Sequence, residues 1–278
     1  MFLYGSSTAK DGWLLVLASS CACIAGASLI FLKRRILENK HFISASLSLG
    51  GGVLLFNSLY ILLPASHQNL NSNLLTFACF FIGVFLTISL SYIVEWSTPN
   101  AIHTSTNIAT IHNHDVEYGT VVVGDASHVD HKKDFLSIGI QTAIAICIHK
   151  FPGYQLGLKV TAAMTIHNFV EGFLISLPLF HAINSRSAAF IYASLLGGLS
   201  QPLGAVLGLL TITELDQIYN KYLFGITFGV VSGMLCFIAI QSMLPQAVKL
   251  DHHNQRNVTL FFFIGISLIG FSNIIQSL

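Results

Sequence analysis

Apolar residues in this chain gather into long runs broken by short polar stretches, the pattern of fully buried or membrane-spanning helices. Eight runs approach the ~20 residues that a helix needs to cross a bilayer. The predicted spans are 12–32, 42–64, 74–96, 135–152, 160–180, 187–211, 222–247 and 258–277. A single sizeable polar segment, 97–134, separates the third from the fourth and is expected to be a flexible loop. The other connections are short turns. The expectation is an all-α polytopic membrane protein, one compact membrane domain over 1–278 with eight transmembrane helices.

Composition strengthens this picture. Only 9% of the 278 residues are charged, and the mean hydropathy is +0.71, whereas soluble domains carry about 25% charged residues. With a net charge of +1 and no basic tract, nothing points to nucleic acid as a partner. The five cysteines, Cys21, Cys23, Cys79, Cys147 and Cys236, lie in apolar runs without CxxC spacing and read as packing residues. The run Trp13–Leu32 is too long for a signal-peptide core and reads as a first span.

Lys and Arg mark the cytosolic side of a membrane protein. With the N-terminus outside, Lys33, Arg34, Arg35, Lys40, Lys132, Lys133, Arg186, Lys249 and Arg256 fall on one side. The other side receives Lys10, Lys159 and Lys221. This asymmetry puts both termini outside and the 97–134 loop in the cytosol. A weak internal echo joins "YILLPAS" (Tyr60–Ser66), ending the second span, to "QSMLPQA" (Gln241–Ala247), ending the seventh. Those helices are expected to run in opposite directions, as in inverted-repeat transporters; a common Leu-Pro helix ending is the plain alternative.

Ionisable groups inside a span are costly and point to a pathway, a partner or a metal. They concentrate in the fourth and fifth spans. His167 and Glu171 are four residues apart and share one helical face, with Asn168 beside it. Imidazole nitrogen, carboxylate and amide oxygen together suit a divalent transition metal such as zinc. The competing reading is a His–Glu pair that only locks helices together. In the fourth span His149 precedes the kinking Pro152 by three residues, and Lys150 either faces Glu171 or snorkels to the interface. In the sixth, "GGLSQPLGA" (Gly197–Ala205) holds Gln201, an oxygen donor or an interhelical hydrogen-bonding group. Asn57 and Gln241 either line an entrance or pack. The loop histidines His103, His112, His114, His128 and His131 form a flexible tract of the kind that catches metal weakly, or a solvated loop.

"HNFVEGF" (His167–Phe173), "GLSQPLGA" in the sixth span and the His-bearing loop resemble the ZIP family of divalent-metal transporters along essentially the whole chain. "HKFP" followed by "HNFVEGF" is most similar to the fungal branch that releases stored zinc from the vacuole. The resemblance implies a ZIP-like inverted-repeat bundle and transport toward the cytosol from an organelle such as the vacuole. It implies His149, His167 and Glu171 as metal ligands with Asn168 beside them, and Gln201 is expected as an auxiliary oxygen donor. Zinc, with iron or manganese as other candidates, is then the transported substrate, and no resident cofactor or enzymatic activity is expected. The partners expected are a divalent metal ion and the lipid bilayer, with a homodimer as a candidate assembly.

The chain departs from the family pattern at Gly153, where a Glu is usual, at Lys150, often Asn, and at Gln201, often Glu. A single-metal site is therefore expected in place of a binuclear one. Spacing adds a further departure. For both clusters to share one depth, the chain must run ~10 residues out, turn in ~4 and return ~10. His149 and His167 are 18 residues apart, so the fourth helix is expected to be shortened and the clusters offset by ~9 Å. A transport-incompetent metal sensor or scaffold, and an intramembrane zinc hydrolase using a Glu base, stand as alternatives.

Overall fold

The computed structural model describes residues 6–97, 126–149, 158–214, 217–252 and 254–277. Its long elements are α1 (Ser6–Ser28), α2 (Lys40–Leu70), α3 (Asn73–Ser97), α4 (Ala126–His149), α5 (Leu158–Ile183), α6 (186–214), α7 (217–250) and α8 (Gln255–Ser277). Among the described residues α2, α3, α6, α7 and α8 are long and apolar enough to cross a membrane, and α1 contributes the shorter apolar stretch Val16–Phe31. No strand occurs among these residues. Only closed helices and barrels satisfy their backbone groups in lipid, and this chain is an all-α integral membrane protein.

The helices follow the predicted spans to within a few residues, with two differences. First, α4 starts at Ala126 and not near 135, so the polar run 126–134 is helical. A helix satisfies its own backbone bonds and can extend into water with its polar side chains solvated. Secondly, the Leu-Pro pairs do not end their helices: α2 continues past Pro64 to Leu70, and α7 past Pro245 to Leu250. Proline has no N–H and crowds the carbonyl four residues back. That carbonyl belongs to Tyr60, Gly198 or Gln241 ahead of Pro64, Pro202 or Pro245. Each lies inside a widened π-type turn, at Asn57–Leu62, Ser194–Leu199 and Ile238–Met243. The wider turn relieves the clash and lets the helix run on.

Helices in lipid associate through packing and small residues, because the solvent is as apolar as the side chains. Gly52 in α2 and Gly233 in α7 each stand twelve residues before the proline of their helix. Each abuts a backbone carbonyl of a neighbour, Phe262 of α8 and Phe80 of α3 respectively, where a methyl group would overlap. The echo read between α2 and α7 thus extends to equivalent packing. Phe77, Phe81, Phe85 and Tyr92 of α3 face outward and are exposed.

One apolar cluster joins α1, α4, α5 and α6 through Ala27, Ile146, Ile175 and Ala193. A second joins α2, α4 and α7 through Leu54, Ile138, Ala145 and Leu235. The third collects Ile43, Phe135, Ala182, Ala247 and Val258. It brings the starts of α2, α4 and α8 and the ends of α5 and α7 to one end of the bundle. His41 Nδ1 sits 2.8 Å from Asp251 Oδ2 there, and Lys249 Nζ 3.4 Å from Asp134 Oδ2. This is the end that carries Lys33, Arg34, Arg35, Lys40, Lys249 and Arg256.

Candidate metal-transport site

His167 is nine residues beyond the first residue of α5, ~14 Å along its axis. The i,i+4 spacing stacks it one turn from Glu171, with Nε2 2.8 Å from Oε1. The histidine side chain is 6% exposed and the carboxylate 0%. A buried carboxylate is costly unless it is paired, and the imidazole of His167 is one group placed beside Glu171 at this depth. One imidazole and one carboxylate therefore share one buried face of α5.

Asn168, also buried, follows ~100° around the helix. Its Nδ2 donates to Ser19 Oγ of α1 and, at 3.3 Å, to Gln201 Oε1 of α6. Gln201 Nε2 donates to the same Ser19 Oγ at 2.7 Å. α1 comes close enough for this because two glycines face backbone. Gly26 lies against the Phe169 carbonyl and Gly172 against the Cys23 carbonyl, and a Cβ at either would collide with it. Ser19, Cys23 and Gly26 fall on one stripe of α1, and Asn168 and Gly172 on the facing stripe of α5.

The predicted residues separate into those brought together and those not described. On α5 His167 pairs with Glu171, and Asn168 beside them donates to Gln201 Oε1 of α6. His149 is the last residue of α4, its side chain not described. Lys150, Pro152 and Gly153, with His103, His112 and His114, lie outside the described residues. His128 and His131 fall in the polar start of α4. Among the described residues no group of three His, Cys, Asp or Glu side chains is placed to hold a metal by itself. Asn57 is buried in the first widened turn, its Nδ2 without a hydrogen-bond partner among the described residues. Gln241 opens on a cavity of about 260 Å³ at the basic end, lined also by Asp134, Ser137 and Lys249. Ser19 was not singled out in the sequence; the signal present was a small polar residue on the Cys23–Gly26 stripe.

The profile described as ZIP Zinc transporter matches residues 153–273. Similar proteins include "Probable zinc transporter zip2" of Schizosaccharomyces pombe, 36% identical over 168 positions that cover 55% of this chain and 43% of that protein. "Zinc transporter ZupT" of Nitratidesulfovibrio vulgaris is 27% identical over 278 positions, 92% of this chain and 94% of its own length. "Zinc transporter ZupT" of Clostridium perfringens is 30% identical over 262 positions. With that identity sustained over 87% of this chain and 88% of the clostridial one, the chain belongs to the ZIP zinc transporter family.

Proposed function

We propose that the chain carries Zn²⁺ across its membrane into the cytosol, binding it in transit at His167 and Glu171. His149 completes the set, with Asn168 and Gln201 as auxiliary oxygen donors. The observation that carries this reading is the buried His167–Glu171 pair, 2.8 Å apart on α5. An imidazole and a carboxylate form a borderline ligand set that suits zinc better than calcium or magnesium. A carrier site must bind well enough to strip water from the ion yet weakly enough to let it go. Two protein charges or fewer, helped by neutral amides, meet that requirement better than a closed four-ligand cage. The family is one of transporters, so the hydrolase alternative is set aside.

In the same reading the basic end of the bundle faces the cytosol, and zinc leaves past the Gln241 cavity. The membrane is that of an organelle such as the vacuole, an assignment supported by the "HKFP" and "HNFVEGF" pair. The decisive experiment is uptake of radioactive zinc by proteoliposomes holding the purified chain, beside Glu171→Ala. Saturable uptake that the substitution abolishes is expected; no uptake by the unaltered chain would overturn the proposal. Gly153, where the family usually has Glu, favours one second reading, a metal sensor. Zinc binding without flux would identify it.

A further inference from the structure

Ser19 belongs to no motif of the chain, yet it is 3% exposed and forms the apex of a closed polar triangle with Asn168 and Gln201. Each edge of the triangle needs a donor facing an acceptor. A serine hydroxyl has one proton and two lone pairs, and an amide has an NH₂ end and an oxygen end. In the observed arrangement both amide nitrogens donate to Ser19 Oγ, and Asn168 Nδ2 also donates to Gln201 Oε1. All three edges are satisfied.

Every other arrangement fails. Turning Asn168 alone by 180° sets its oxygen against Gln201 Oε1. Turning Gln201 alone sets two NH₂ groups against each other. Turning both presents two carbonyl oxygens to one hydroxyl that has one proton to give. Burial raises the cost of each mismatch. The single hydroxyl therefore admits one orientation of the two amides, and in it Asn168 Oδ1 points out of the triangle.

We propose that Ser19 is a positioning residue for transport: it holds the Asn168 carbonyl oxygen outward as an oxygen donor to the divalent cation at the neighbouring His167 and Glu171. This rests on the transport reading given above. Without the hydroxyl the Asn168–Gln201 contact is satisfied equally well after both amides turn. The cation then meets an NH₂ group in a share of the molecules, and affinity falls.

The test compares Zn²⁺ affinity of the purified protein, by competition with a chromophoric chelator, with KM and maximal rate of zinc uptake in proteoliposomes. Ser19→Ala is expected to weaken binding and raise KM about tenfold, the worth of one or two buried hydrogen bonds, with the maximal rate unchanged. Ser19→Thr, which keeps the hydroxyl, restores both. Ser20→Ala changes neither, because Ser20 Oγ donates to Val16 O of its own helix. Should Ser19→Ala not fold, the isosteric pair Ser19→Thr and Ser19→Val isolates the hydroxyl. Equal zinc affinity with and without the hydroxyl would overturn the proposal, as would a loss confined to the maximal rate. Binding that depends on the hydroxyl in a protein that moves no zinc would refute the transport reading and leave the Ser19 assignment of the binding site standing.

Discussion

Ser58 and Ser232 exchange hydrogen bonds across 174 residues of sequence: Ser58 Oγ donates to Ser232 O at 2.7 Å, and Ser232 Oγ donates to Ser58 O at 2.9 Å. Both residues are fully buried, and Ser58 lies in the widened turn that precedes Pro64. The pair ties α2 to α7 at the point where the α2 backbone leaves regular geometry. Side-chain hydrogen bonds between membrane helices average ~0.6 kcal/mol and reach ~1.7. Ser58→Ala and Ser232→Ala are each expected to cost ~0.5–1.5 kcal/mol, because each removes one arm of the exchange. Unfolding of both single variants and the double variant in detergent micelles measures the coupling.

Glu171→Ala is expected to bring saturable zinc uptake down to background, since losing even an outer partner of a metal ligand costs about 10–100-fold in affinity or activity. His167→Ala is expected to act comparably, since the two side chains are in contact. Initial uptake rates in proteoliposomes, corrected for the amount of folded protein, check this.

Gly26→Ala and Gly172→Ala each push a methyl into a neighbouring backbone carbonyl, which cannot rotate away as a side chain can. A loss of ~2–3 kcal/mol is expected for either, the upper range for overpacking. Gly270→Ala is the contrast: the nearest atom to its new methyl would be Phe56 Cζ at 3.8 Å, so the change should be within ~0.5 kcal/mol. Thermal melting followed by size-exclusion chromatography distinguishes the two outcomes.

Gln241→Cys is expected to react with a membrane-impermeant maleimide applied from the cytosolic side, because Gln241 lines the open cavity at the basic end. Asn57→Cys, at a position only 3% exposed, should resist the same reagent. Cys21, which is exposed, is first replaced by serine. Labelling of Gln241→Cys from the opposite side alone would reverse the orientation.

The fold was legible because lipid imposes a simple code. Uncharged runs of near-spanning length must be helices, and α3 and α8 came out close to their predicted limits. The proline turns were not legible. A Leu-Pro pair in sequence is compatible with a helix end or with a widened turn, and neighbouring helices decide which backbone groups can be re-satisfied. The start of α4 was missed for a different reason, since a polar helix in water carries no apolar signal.

At the site, the i,i+4 rule placed His167 and Glu171 on one face before any coordinates, because helical geometry is local. Partners from distant segments are another matter. Ser19 is 149 positions from Asn168 and 182 from Gln201, and a serine in an apolar run looks like any other small residue. Sequence by itself determined the class of molecule, the helices and the His167–Glu171 pair on α5, all consequences of spacing and burial along one chain. Tertiary structure alone decided that Gly26 and Gly172 let two backbones touch, and that a single hydroxyl on α1 dictates how two amides face. Those depend on the approach of helices packed by shape, which no one-dimensional pattern encodes.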